Sequence, residues 1–268
     1  MKNKGLIITL IVLLSIITIL LIVFLAMSIS DKISLNIFSL GWNSKSTKVI
    51  YNEEFELENI KNIEIVQDAG DTIIREAEGD YIQVVLYGEY EEDAKVNLEN
   101  GNLYVENTHN KKNNITFFGF GTNKKNDIII YLPSDYANII NIKNNYGECE
   151  IIDLENATVN IDCDAGDIEL GKIKNANIKC AAGNVEIEEI TNKCNIEVNC
   201  GNLEINTISI KEDSNIEVNM GNIEINNTND IYIDAEVDFG SNKIDMNNRN
   251  AEITLKIECD CGNVTVKN

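Results

Sequence analysis

From Ile142 to Val266 the apolar positions return in one fixed phrase: apolar, any, apolar, any, any, Gly, small polar, apolar, Glu, apolar. Seven copies are centred on Gly147, Gly166, Gly183, Gly201, Gly221, Gly240 and Gly262, spaced 19, 17, 18, 20, 19 and 22 residues apart. Self-similarity at such a period marks a stacked repeat, in which no copy buries its own apolar face and neighbours must cover it. Aligned on the glycines, the position five before holds Ile142, Ile161, Ile178, Ile196, Ile216, Ala235 and Ile257, and the position four after holds Ile151, Leu170, Ile187, Ile205, Ile225, Ile244 and Val266. Three before stand Asn144, Cys163, Cys180, Val198, Val218, Val237 and Cys259; two after stand Cys149, Ile168, Val185, Leu203, Ile223, Asn242 and Val264. Charged or amide residues fill the gaps, among them Glu150, Glu169, Glu186, Glu204 and Glu224, so the period is two and the elements are strands.

The residue just before each glycine (Tyr146, Ala165, Ala182, Cys200, Met220, Phe239, Cys261) also reads as inward, as does the one two after it. Simple alternation across three residues forbids both, so the chain must bend at the Gly and Asn/Asp pair, where glycine supplies backbone angles closed to other residues. A further apolar column seven after the glycine (Leu154, Ile173, Ile190, Ile208) predicts another side to the earlier rungs. The expected fold is all-β: a β-solenoid-like stack of short glycine-cornered strands over residues 136–268, rising about 4.8 Å per rung.

Ahead of it, Leu6 to Ile29 runs 24 residues without a charge, long enough to cross a hydrocarbon core of about 30 Å as a single transmembrane helix. Lys2 and Lys4 precede it and Asp31 follows, which places residues 1–5 in the cytoplasm and the rest outside, a single-pass signal anchor in the cell membrane. A cleaved secretory signal is the alternative, since Ala26 and Ser28 form a small-x-small site, but the run exceeds an ordinary apolar region of about 7 to 15 residues. Residues 30–58, with Ile33, Leu35, Phe38, Leu40 and Trp42, read as a juxtamembrane stalk.

The chain carries −22, or −24 once Lys2 and Lys4 are set aside, which argues against nucleic acid as a partner. Seven Cys in an exported chain raise the question of a disulfide framework, yet Cys163, Cys180 and Cys259 occupy a slot filled elsewhere by Val. They behave there as small hydrophobes, although Cys163 and Cys180 stand in adjacent rungs within bonding range. No CxxC pair exists and His109 is the only histidine, so neither metal nor cofactor is expected.

Residues 59–135 read as an all-β lead-in that caps the first rung, with Gly70 and Gly101 as degenerate corners. Within it Phe117, Phe118 and Phe120 lie between Lys111, Lys112 and Lys124, Lys125. Aromatics among lysines suit contact with an anionic lipid surface or a partner, whereas three Phe filling the base of the sheet is the simpler account.

The strand Asp127 to Tyr136 (DIIIYLPSDY), ending in Leu132-Pro133 and followed by Gly166-Asp167-Ile168-Glu169-Leu170 and its copies, resembles the bacterial putative-adhesin family of β-strand-repeat proteins, a domain of unknown function. The resemblance runs from about Ile63 onward and implies an exported or membrane-anchored surface protein with a solenoid-like fold. Some relatives in that family are associated with envelope stress responses. It carries over no catalytic residues.

Function therefore reads as a non-catalytic, adhesin-like binding module whose partner is a surface or envelope protein or glycan. An envelope stress sensor acting through a membrane partner is the alternative. A polysaccharide-active β-helix enzyme is remote, because Arg75 and Arg249 are the only arginines and no nucleophile setting stands out. The glutamate column invites calcium, but the spacing differs from the Gly-Gly-x-Gly-x-Asp solenoid, and a solvated acidic face explains it. A last rung ending at Asn268 with Lys267 as its guard predicts an open C-terminal edge through which copies could associate.

Overall fold

The computed structural model describes residues 34–36, 48–108, 114–116, 126–245 and 247–267. Residues 6–29, Trp42 and the contact candidates Lys111, Lys112, Phe117, Phe118, Phe120, Lys124 and Lys125 lie outside the described residues. Among those described, no helix is long and apolar enough to cross a membrane. The strands are β1 (Ser34–Asn36), β2 (Lys48–Glu56), β3 (Asn62–Gln67), β4 (Thr72–Glu76), β5 (Tyr81–Gly88), β6 (Ala94–Glu99), β7 (Asn102–Asn107), β8 (Asn114–Thr116), β9 (Ile128–Leu132) and β10 (Ile139–Tyr146). They continue as β11 (Cys149–Ile151), β12 (Leu154–Ala165), β13 (Ile168–Cys180), β14 (Val185–Cys200), β15 (Leu203–Ile208), β16 (Ser214–Met220), β17 (Ile223–Thr228), β18 (Tyr232–Ile244) and β19 (Thr254–Val266). β1 pairs in parallel with β8, and the remaining strands form a separate unit.

That unit is a β-solenoid with two walls meeting at the glycine corner. One wall runs β6, β7, β3, β10, β12, β13, β14, β16, β19, β18; the other runs β2, β5, β9, β4, β11, β13, β14, β15, β17, β19, β18. Every neighbouring pair is parallel except β6–β7, β2–β5 and β5–β9. The apolar columns stand in register: Ile142, Ile161, Ile178, Ile196, Ile216, Ile257 and Ala235 face one another rung by rung, as do Cys163, Cys180 and Val198. The column seven after the glycine is also real, with Leu154, Ile173, Ile190 and Ile208 paired and fully buried, and it forms the third side.

Glycine is required at the corner for two reasons. Six of the seven sequence-derived corners hold φ between +135° and +157°, as does Gly70 at +143°. A Cβ placed on Gly147, Gly166, Gly183, Gly201 or Gly221 would also lie 1.7–2.0 Å from the carbonyl oxygen of the glycine one rung away. Gly262 lacks the positive φ, yet its Cβ would meet the Gly221 oxygen at 1.7 Å, so space alone fixes that residue. The glycines form one continuous column, and Gly70 belongs to it as the degenerate corner expected from the sequence: β3 and β4 pair in register with β10 and β11, making an eighth rung.

Four expectations need correction. Residues 48–56, read as part of a stalk, form β2 and pair antiparallel with β5, because Tyr51 and Phe55 alternate with polar residues and pack on the core. Gly101 is no corner: with Asn100 (φ 54°) it makes the two-residue Asn-Gly turn of the β6–β7 hairpin, whose left-handed angles match strand twist. The residues just before the glycines do not point inward. Tyr146, Met220 and Phe239 are 61, 57 and 75% exposed, and Ala182, Cys200 and Cys261 are exposed too, because the strand has already begun to turn and these side chains leave on the outside of the bend.

The fourth concerns the end. β19 is not an edge: it inserts between the β16/β17 rung and β18, pairing with both. β18 is the terminal rung, and part of its other side is closed by Asn247, whose Nδ2 donates to the Ile233 carbonyl (2.7 Å) and whose Oδ1 accepts from the Ile233 amide (2.9 Å). At the opposite end the interior column three before the glycine turns polar, with Asn144, Gln67 and Asn107 fully buried. Their amides are anchored to main chain, Asn144 to Gly147 (2.6 Å) and Asn107 to Tyr87 (3.0 Å).

Candidate binding surface

The outward positions of a solenoid wall repeat at the rung spacing, so one residue type kept in one column becomes a straight line of that chemistry. On the second wall the line is glutamate. Glu150 (β11), Glu169 (β13), Glu186 (β14), Glu204 (β15) and Glu224 (β17) are consecutive ladder partners, about 4.8 Å apart. Like charges at that distance repel, and the two ends of the line are neutralised. Arg75 on β4 grips Glu150 through both guanidinium nitrogens, the Nη2–Oε2 contact being 2.6 Å, and Lys267 pairs with Glu224. The Glu150 carboxylate in turn raises the Arg75 pKa, chiefly through that hydrogen bond. No ion pair with a described residue holds Glu169, Glu186 or Glu204, so the middle of the line presents its charge to solvent.

Beside that line the next outward column reads Gly171, Glu188, Asn206 and Asn226. Gly171 lies in a shallow depression of about 310 Å³ bounded by Glu150, Glu169, Glu186, Glu188 and Glu204. Asn206 donates to Glu188 (2.9 Å) and holds that rim in place. Among the described residues no cluster of His, Cys, Asp and Glu is arranged to hold a metal ion.

The first wall carries a different line. Asn141, Asn160 and Asn177 are stacked, each amide donating to the previous side-chain oxygen at 2.7–2.8 Å, and Asn195 and Asn215 continue the column. Lys143, Asp162 and Lys179 flank it along a depression of about 360 Å³. A third line follows the corner itself, where the small polar residue after each glycine caps the next rung. The Asn184 amide donates to Asp167, Asn202 to Asn184, Asn222 to Asn202, Asn263 to Asn222 and Ser241 to Asn263, at 2.7–3.2 Å. That run explains why the phrase demands Asn, Asp or Ser there: an acceptor short enough to reach the main chain one rung on.

The sequence-derived corner glycines all lie on this edge, whereas the aromatic and lysine set is outside the described residues. The signal that sequence reasoning missed is the exposed stripe before the glycines, because apolarity was taken for burial. Cys194 was also unplaced; it is buried in the column seven before the glycine, next to Ala176.

A family model, Toastrack DUF4097, matches residues 60–268. No curated relative matches the chain. Among solved structures it is similar to a putative cell adhesion protein from Clostridium sporogenes, at 16% identity and TM-score 0.41, covering 83% of this chain and 99% of that one. A putative adhesin from Bacteroides fragilis aligns at 12% identity and TM-score 0.37 over 82% and 98% of the two chains, and a putative lipid binding protein from Parabacteroides distasonis at 13% and 0.39 over 81% and 93%. With the family model spanning the solenoid from the loop before β3 through β19, the chain belongs to the Toastrack DUF4097 family.

Proposed function

We propose that this protein is a membrane-anchored, extracytoplasmic binding module of the bacterial cell surface, held by residues 6–29 and acting through its solenoid walls without catalysis. The observation that carries the reading is the glutamate line on the second wall. The three carboxylates left without an ion pair, Glu169, Glu186 and Glu204, stand at a single spacing and offer repeated weak contacts to an extended partner, and repetition turns weak contacts into avidity. Carboxylates select a partner bearing amines, or an anionic wall polymer joined through divalent cations. The names of the similar structures, adhesin and cell adhesion protein, agree with this reading.

The test is co-sedimentation of the protein with isolated cell walls, comparing wild type with the E169Q/E186Q/E204Q triple variant, with and without a chelator. Binding by the wild type that weakens at least tenfold in the triple variant supports the reading. Equal binding by both would move the contact off this wall. Loss on chelation identifies the cation-bridged partner; indifference to chelation identifies the amine-bearing one.

A further inference from the structure

The exposed stripe before the corner glycines has an order that only the strand arrangement reveals. Because β19 lies between β16 and β18, the stripe reads Ala182, Cys200, Met220, Cys261, Phe239 along the stack, one rung apart. Cys200 and Cys261 are exposed thiols, Met220 is 57% and Phe239 75% exposed. Exposed apolar residues in a contiguous row mark an interaction site. The border after the glycines is neutral in a chain carrying −22: Asn184, Asn202, Asn222, Asn263 and Ser241.

This stripe is complementary to itself. A twofold axis through Met220 sets each rung above the axis against the rung equally far below it. Cys200 then faces the partner's Cys261, and Phe239 faces the small Ala182 of the partner subunit. Met220 meets its own copy. Bulk meets a gap, thiol meets thiol, and the one acidic stretch beside the stripe, Asp260 and Asp238, meets the neutral Asn199 and Ala181 instead of another carboxylate. A shift of one rung loses the thiol pairing: it sets Met220 against Cys200, Cys261 against Ala182 and Asp238 against Asp164, or else Met220 against Cys261 and Phe239 against Cys200.

We propose that a second copy of this chain docks on the stripe about that axis, closed by two Cys200–Cys261 disulfides. Such a contact is isologous and ends at two subunits rather than growing into a filament. Two convex corners touch over little area, so the covalent links hold what packing aligns. Each bond forms when one thiolate attacks a low-molecular-weight disulfide such as oxidised glutathione, releasing one small thiolate, and the second protein thiolate then attacks the protein sulfur of the mixed disulfide and displaces the other. Two thiols lose two protons and two electrons, and the oxidant leaves as two thiols. The other five cysteines are buried in the native chain and out of reach.

The experiment uses the full chain, purified reduced in mild detergent and exposed to oxidised glutathione, with products separated without reductant. Wild type should form a covalent dimer in which peptides containing Cys200 and Cys261 are cross-linked. Cys200→Ala and Cys261→Ala should each stay monomeric alone, yet give a covalent heterodimer when mixed, since one retains the partner that the other lacks. Phe239→Asp should diminish the dimer at equal oxidant. Both cysteines are exposed, so neither change threatens folding, and circular dichroism checks it. A dimer formed by either cysteine variant alone would mean like-with-like pairing and overturn the axis. A wild type that yields only monomer or glutathione adducts would overturn the docking itself.

Discussion

At the scale of single residues, the corner glycines and the buried thiols make opposite demands on the chain. Gly183 sits at φ +153°, and an added Cβ would lie 2.0 Å from the backbone oxygen of Gly166, which cannot move without displacing the next rung. Gly183→Ala should therefore cost at least about 3 kcal/mol in denaturant unfolding, combining strain with overpacking. Gly79 is a fair control, since its Cβ would meet only the movable Tyr81 ring at 3.1 Å, and Gly79→Ala should cost under about 1 kcal/mol. Burial pushes the Cys194 thiol up to about 12, and Cys149 likewise. An unfolded thiol ionises near pH 8.5, so the folded state holds protons that the unfolded state releases above that pH. Stability from this source is complete below about pH 8.5 and declines toward pH 12, by about 1.4 kcal/mol per pH unit for each thiol. Urea midpoints of wild type and Cys194→Ala should accordingly converge by about 2 kcal/mol between pH 8.5 and pH 10; parallel pH profiles would show that Cys194 ionises freely.

At the scale of elements, strand position was legible and strand pairing only partly so. The period of two and the glycine anchors gave the inward columns, which DIIIYLPSDY and each later copy obey because a one-residue slip would expose every Ile. What pattern alone could not tell was which side of the bend the residue before glycine takes, since parity continues up to the corner and the turn starts earlier than parity suggests. Asn100-Gly101 between Leu98 and Leu103 was a readable hairpin signal, masked because Gly101-Asn102 also fits the corner pair seen at Gly201-Asn202. The corner caps make an element-scale prediction. Asn202 accepts from the Asn222 amide (3.0 Å) and donates to Asn184 (3.2 Å), so Asn202→Ala should lower stability by about 1 kcal/mol. Asn202→Asp keeps the acceptor, as Asp167 does beneath Asn184 (2.7 Å), and should cost less in the same unfolding assay.

At the scale of the whole molecule, the two final rungs change places, and both carry the same phrase, so the sequence offers little to order them. One sign was there: β18 has Ala235 and Asn242 at positions where interior rungs carry Ile and Val or Leu, the weak inner column expected of a rung with a neighbour on one side only. The glutamate line was equally legible, whereas its neutralised ends rest on two pairings that the repeat phrase does not show, Arg75 of the Gly70 rung with Glu150 and Lys267 with Glu224. Removing residues 254–268 should thus do more than shorten the stack. It withdraws the penultimate layer, and amide hydrogen exchange across Tyr232–Ile244 should rise to that of an unprotected segment; retained protection would mean that β18 can dock directly on β16.

The interleaved ending also sets a timetable. Residues 232–244 leave the ribosome before 254–266, yet their place in the finished protein is beyond a layer that does not then exist. For that interval the β16 edge and the newly made segment can meet in a match of similar pattern, and the later strand must either arrive first or prise them apart. Maturation of this protein should accordingly include a late, slow editing step confined to its final quarter, with everything from Gly70 to Gly221 already settled.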